Sequence, residues 1–238
     1  DRKLAQLVEE QLLIPDREAL DALFGSYDDA PSAPGLVSRY RNLLHHHTHQ
    51  TGRRDAATFW TGLGAVRRDV FLRMEGFSAE FGRPSIEDIE LGYRLRAAGH
   101  RIRLVKDMQG AHLKEWTLFG MMRTDIFQRG VPWIVLLKRH PDVPNDLNLN
   151  LGARVATVLA GLFLLGLMLL IPGLPWSLPF WPGLLLPLAA VAGIAWIQRD
   201  FLGLMRRRYG VLDAVGTLPL LVLFFIACGL AVPLGYWK

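Results

Sequence analysis

The last third of the chain limits what it can fold into more than any other feature. Residues 151–238 hold only six of the 27 Lys/Arg and two of the 22 Asp/Glu, and they fall into long apolar runs. A helix needs about 20 largely apolar residues to cross a bilayer, because its backbone polar groups must be satisfied internally. Three segments meet or approach that length. The first is Val155–Ile171, extended backwards by Leu151-Gly152-Ala153. The second is Leu184–Ile197, lengthened by the uncharged PWSLPFWPG and interrupted by Pro182 and Pro187. The third is Ala214–Trp237. Transmembrane helices are thus expected at about 151–171, 180–197 and 214–237, the second either crossing fully or re-entering. Intervening loops with so few polar groups argue against buried core helices.

Basic residues orient these spans. Lys138, Arg139 and Arg154 precede the first, and Arg199 with Arg206-Arg207-Arg208 follows the second in the loop QRDFLGLMRRRYG. The positive-inside rule assigns them to the cytoplasmic side. The uncharged loop PGLPWSLPFWPG, with Trp176, Phe180 and Trp181, then lies outside together with Lys238. Residues 1–150 are expected in the cytoplasm, at the cell (inner) membrane, as part of a multi-pass protein. Their 21 basic and 20 acidic residues nearly balance, which leaves no clustered basic face and excludes a nucleic-acid partner. The single cysteine, Cys228, lies in an apolar run, so there is no disulfide framework. DRKLAQLVEEQL is charged and amphipathic, unlike a signal peptide. A first residue of Asp rather than Met suggests that the natural start lies upstream.

The first 150 residues alternate helix and strand patterns. LAQLVEEQLL and REALDALF read as helical, Ala22–Tyr27 as a strand running into GSYDD, and LVSRYRNLLHHHTHQ as a helix. AATFWTGLGAVRRDVFLRMEGF reads as a short strand, a glycine-containing turn, then a helix from about Arg68. In PSIEDIELGYRLRAAGHRI, residues 84–102, Ser85 and Asp88 fit a capping box, Ile86, Ile89, Tyr93 and Ala97 recur at helical spacing, and Gly99 supplies a stop. IRLV follows as a strand leading into QGAHLKEW. This alternation points to an α/β layer architecture with fewer strands than a complete sheet needs. Locally, Glu87-Asp88 reads equally as the cap of a helix or as a catalytic acid.

Taken together, four stretches resemble the C-terminal half of a membrane-bound family 2 glycosyltransferase of the GT-A fold. FWTGLGAVRRDVF resembles the glycine-containing donor loop, and EGFSAEFGRPSIEDIELGYRLRAAGHRI the acceptor-side segment with its xED motif. GAHLKEWTLFGMMRTDIFQRGVPW resembles the stretch with a metal-side His and an R-x-x-x-W element, and FLGLMRRRYGVLDAVGTLPLL the tail of members acting on lipid-linked acceptors. The match in the soluble part runs from about Gly25 to Trp133. The resemblance implies Asp88 as general base with Glu87 beside it. It implies Trp60, Gly62 and Gly64 as donor-binding, Arg129 and Trp133 as acceptor-side, and His112 as completing a divalent metal site (Mg or Mn). QRGVPW has Pro132-Trp133 where processive polysaccharide synthases have Arg-Trp, which speaks against a processive polymerase. The D-x-D motif that would hold the metal on a nucleotide-sugar diphosphate matches nothing in the chain and is expected upstream of residue 1. The fold expected is therefore an incomplete, GT-A-like α/β domain over 1–150, lacking its nucleotide-binding N-terminal half, followed by a transmembrane α-helical region over 151–238.

Inverting sugar transfer needs a base for the acceptor hydroxyl and charge neutralisation for the leaving nucleoside diphosphate. Asp88 at a helix N-terminus suits the first role, provided burial raises a pKa that the helix dipole lowers. Towards a lipid phosphate, already largely ionised, it would orient rather than deprotonate. Two other classes compete. One is a non-enzymatic membrane anchor or partner module. The other is a metal-dependent hydrolase using Asp28, Asp29 and the cluster His45-His46-His47-His49. Asp28-Asp29 reads more simply as a turn, and the histidines as a polar face near lipid headgroups, because adjacent helical histidines diverge and no Cys accompanies them. Trp116, Trp133, Trp176 and Trp181 suit an interfacial belt as well as they suit sugar stacking.

Overall fold

The computed structural model describes residues 20–81, 85–140, 146–171 and 180–238. The helix expected over LAQLVEEQLL, and most of the loop PGLPWSLPFWPG, lie outside them. The fold is mostly helical with one small mixed sheet. Contacts divide the described chain into two units: residues 20–34, 41–115 and 136–148, and residues 35–40, 116–135 and 149–238.

The sheet of the first unit consists of β1 (Ala22–Tyr27), β2 (Gly64–Val66) and β3 (Ile102–Gly110), in the order β2-β1-β3. β1 is central and buried on both faces, which explains its near-continuous apolar sequence ALFGSY. It pairs antiparallel with β2, Phe24 opposite Gly64, and parallel with β3, Ala22 opposite Ile102. The β3 register slips at Gly25: Phe24 faces Leu104, but Ser26 faces Gln109. Any Cβ at Gly25 would stand 2.2 Å from the Met108 carbonyl oxygen, so only glycine admits this bulge.

The strand and turn of AATFWTGLG occur in the reverse of the expected order. The glycine turn, Thr61–Leu63, comes first, and β2 follows it. The residues before the turn supply Ala56 and Phe59 to the core rather than a strand. There Phe24, Val70, Leu91, Leu95 and Ile102 pack with them. Val70 lies on α2 (Arg68–Arg73), Leu91 and Leu95 one turn apart on α3 (Glu87–Ala97). Helix α3 stops where expected, with Gly99 left-handed at φ +82 and the His100 N–H returning to the Leu95 carbonyl at 2.9 Å. Its start differs from expectation. Ile86 occupies the cap position with no side-chain cap, and the Asp88 carboxylate accepts from Thr61 and Ile89. The Glu87 carboxylate accepts the Ser85 N–H at 2.7 Å.

On α3, Arg94 forms a bidentate pair with Glu90, at 2.6 and 2.9 Å, and also donates to the carbonyls of Met74 and Gly76. Those carbonyls frame Glu75 and Gly76, both left-handed (φ +60 and +69). One guanidinium thus ties the helix to a tight turn whose backbone would otherwise relax.

Helix α1 (Leu36–Thr51) carries residues of both units. The second unit continues through α4 (Leu118–Arg123), a π-helical stretch (Thr124–Gly130) and α5 (Val131–Arg139), whose end belongs to the first unit. Then come α6 (Leu151–Leu169), α7 (Phe180–Ile197), α8 (Arg199–Tyr209) and α9 (Val211–Tyr236). Helices α6 and α9 are long and apolar enough to cross a membrane. Gly183–Ile197 and Arg199–Tyr209 form a pair bent by 74°, which makes a third span only if counted together. The segment QRDFLGLMRRRYG between the second and third apolar runs is largely helix, with Phe201 and Met205, four residues apart, both fully buried. Helices α6 and α7 pack through small residues, as helices in lipid do. A Cβ on Gly166 would lie 2.4 Å from Pro187, and one on Gly193 would lie 2.8 Å from Leu159.

Replacing Arg94 by Met leaves the buried Glu90 carboxylate unpaired and releases two carbonyls. We expect a loss on the order of 3 kcal/mol in unfolding free energy, with part of it recovered in Arg94→Met/Glu90→Leu. Denaturant unfolding in detergent measures both.

Candidate functional site

Asp88 lies in the first turn of α3 and is half-buried. Its Oδ1 accepts the N–H of Ile89 at 2.9 Å, satisfying one orphan donor of the helix start. Its Oδ2 accepts both the backbone N–H and the hydroxyl of Thr61, each at 3.2 Å. The residue expected as the base therefore holds the glycine turn expected as the donor loop.

Two sets of glycines make this approach possible. Gly92 sits one helical turn beyond Asp88, and a Cβ there would lie 2.4 Å from the Phe59 nitrogen and 2.7 Å from the Thr58 carbonyl carbon. Without a side chain, α3 lies directly on the backbone that leads into Thr61. Within the turn, a Cβ on Gly62 would strike the Trp60 indole at 2.2 Å, and one on Gly64 the Trp60 carbonyl oxygen at 2.5 Å. Gly62 and Gly64 are thus required to fold the indole over its own loop.

Burial raises the Asp88 pKa above the ordinary aspartate value, with a further push from the neighbouring Glu87 charge, while hydrogen bonds from Thr61 and Ile89 pull the other way. Glu87, bonded to the Ser85 N–H, acts on Asp88 through its charge. A half-buried carboxyl raised in this way is better suited to take a proton near neutrality than an exposed one.

The indole of Trp60 continues the site towards the ends of the parallel strands. It meets the Tyr27 ring edge-on with centroids 4.4 Å apart, and on Tyr27 lies His112 at 4.2 Å. Tyr27 closes β1 and His112 follows β3, so both stand at the carboxyl ends of the parallel pair, where open α/β sheets bind ligands. The His112 Nδ1 meets the Asn42 side-chain oxygen, and the Asn42 amide donates to the Lys114 carbonyl at 3.1 Å. Asn42 accepts through its oxygen, so Nδ1 donates and the neutral ring keeps its lone pair on Nε2, the nitrogen that would ligate a metal.

Three histidines of the His45–His49 run also meet Tyr27. The His49 ring stacks on it at 8° and the His45 ring tilts against it, while the His46 Nδ1 meets the Tyr27 carbonyl oxygen at 2.8 Å. These histidines are half-buried within the first unit. Asp28 accepts the Ala30 N–H at 3.2 Å, as a turn residue does. Among the described residues no three His, Cys, Asp or Glu side chains converge to hold a metal ion. His112 alone does not make a metal centre, and the described residues do not fit one.

Arg129, in the π-helical stretch, and Trp133, in the first turn of α5, are half-buried in the second unit. Thr61, Asn42, Tyr27 and Gly92 escaped the sequence reading. For Asn42 a signal was present: it shares helical spacing with His46 and His49, four and seven residues on, so all three lie on one face of α1. For Thr61 and Gly92 no local signal exists, because their roles arise from contacts with Asp88 and with Thr58-Phe59, distant in sequence.

No family model, curated protein or solved structure matches the chain.

Gly92→Ala should push α3 off the Thr58-Phe59 backbone and cost about 1–3 kcal/mol, the usual range for overpacking, measured by thermal unfolding of the chain in detergent. The raised pKa gives a second test. The folded protein holds the Asp88 proton more tightly than the unfolded chain does, so this contribution favours folding in acid and is lost as pH rises through the folded value. Asp88→Asn cannot ionise. Its melting temperature should therefore climb relative to the parent protein as pH rises above the ordinary aspartate value of about 4.

Proposed function

We propose that the chain is the acceptor-side part of an inverting, membrane-bound glycosyltransferase. In this reading it takes a sugar from a nucleotide-sugar donor and passes it to a lipid-linked acceptor at the cytoplasmic face of the inner membrane, the rest of the donor site lying outside the described residues. One observation carries this reading. A carboxyl with a raised pKa, Asp88, is fastened to the glycine turn carrying Trp60, Gly62 and Gly64, the loop the resemblance assigns to the donor. The two helices long and apolar enough to span a bilayer support the membrane acceptor.

In this reading the acceptor hydroxyl gives its proton to an Asp88 carboxylate oxygen as its oxygen bonds to the anomeric carbon. The bond from that carbon to the diphosphate oxygen breaks on the opposite face, and the electron pair leaves with the nucleoside diphosphate. Thr61 keeps the carboxylate aimed from the loop side. A divalent cation (Mg or Mn), as the resemblance implies, would need donors beyond His112; the role of Asp88 does not depend on it. Arg129 and Trp133 are proposed to contact the acceptor.

Membranes bearing the natural full-length protein, given radiolabelled UDP- and GDP-sugars, should transfer label into the lipid fraction. Asp88→Asn should lower kcat by about 10²- to 10⁴-fold if the acceptor is a hydroxyl, and by far less if it is a phosphate. Label transfer to lipid from none of these donors would overturn the proposal.

A further inference from the structure

The bend between α7 and α8 gives the second unit a feature that sugar transfer does not need. Helix α7 is uncharged through Ile197. In its last turn Trp196 is 70% exposed, and Arg199 turns back over it: the guanidinium lies 5.0 Å from the indole centroid and donates to the Trp196 carbonyl at 3.1 Å. Such a pairing of exposed Trp and returning Arg suits the bilayer boundary, where the ring stays in the interface and the charge stays wet.

After the 74° bend, α8 buries Phe201 and Met205 along its length and ends in a turn where Arg206, Arg207 and Arg208 are all exposed on successive sides of the helix. The far end of α8 is pinned as well. Tyr209 lies under the Arg39 guanidinium at 4.9 Å, and Arg39 pairs with Asp213 at 3.0 Å. That pair engages the first acid of α9 and leaves Asp200 as the sole carboxylate on α8, against four arginines. Apolar side chains reappear at once beyond Gly210, with Leu212 86% exposed. The change from exposed cations to exposed aliphatics within a few residues marks a boundary between headgroups and acyl chains. Three adjacent guanidiniums continuing an uncharged helix into hydrocarbon would be strongly penalised. A bend that lays them along the surface removes that penalty.

We propose that α8 is an interfacial helix whose arginines Arg206, Arg207 and Arg208 bind the headgroup phosphates of anionic phospholipids in the surrounding bilayer. The site is built from the α7–α8 bend, the Arg199–Trp196 pair at one end and the Arg39–Tyr209 contact at the other. It does not rest on the transferase reading.

The test reconstitutes the chain in mixed bilayers of phosphatidylcholine and phosphatidylglycerol with a trace of either lipid spin-labelled, and reads the motionally restricted fraction by electron spin resonance. Labelled phosphatidylglycerol should be restricted about five-fold more than labelled phosphatidylcholine. The preference should fall by at least half in Arg206→Gln/Arg207→Gln/Arg208→Gln, survive in the corresponding triple lysine variant, and weaken near 1 M salt. Equal restriction of the two lipids by the parent protein overturns the proposal. So does a preference unchanged in the glutamine variant, or one lost equally in the lysine variant, which would point to packing rather than charge.

Discussion

The candidate site depends on how closely α3 can lie on the extended backbone at Thr58-Phe59. A methyl group at Gly92 would already overlap that backbone, so the missing side chain sets the spacing between the two segments. From that spacing the rest follows. Thr61 comes within hydrogen-bonding range of Asp88, the turn through Gly62 and Gly64 is fixed in place, and Trp60 is delivered onto Tyr27. The same contact removes water from one side of the Asp88 carboxyl, which lifts its pKa even though three donors point at it. Geometry and proton affinity at this residue therefore share one cause.

Much of the secondary structure was legible because it rests on local periodicity. The strand at Ala22–Tyr27, the helix over Leu36–Thr51, the helix ending at Gly99 and the apolar helices all follow from apolar spacing and from glycine stops. Expectations failed where a partner distant in sequence takes over. Ser85 and Asp88 have the spacing of a capping box, yet Asp88 is drawn to Thr61 and the Ser85 N–H goes to Glu87. QRDFLGLMRRRYG, between two apolar runs, carries five charged and five apolar residues, so composition alone assigns it no element. Two buried side chains four residues apart are enough to make it a helix once there is something to pack against. The rings of His45 and His49 lie against Tyr27, on another element, a contact that no local spacing signals.

Polar chemistry and apolar anchoring are kept apart in this chain. The titratable groups of the candidate site, Asp88, Glu87 and His112, belong to the first unit, and the apolar helices to the second. Arginine serves both, in different ways. Arg94 ties α3 to a turn by bonds to Glu90, Met74 and Gly76, whereas Arg206, Arg207 and Arg208 are exposed in the last turn of α8. Salt screens exposed charges more than partly buried pairs.

The π-helical stretch Thr124–Gly130 has a consequence of its own. A π-helix packs more residues into each turn than an α-helix does, so it acts as an insertion absorbed without breaking the rod. It ends at Gly130, where a Cβ would lie 2.5 Å from Ala231, and the next contact along this seam is Ile134 against Gly235. Because the extra residue is taken up inside the widened turn, the side chains beyond it keep the phase that seats Gly130 and Ile134 against α9. Winding the same residues as ordinary α-helix would turn α5 by about 100° and carry that seam away from α9. The length of this segment works like the thread of a screw: it sets the angle at which everything after it is presented.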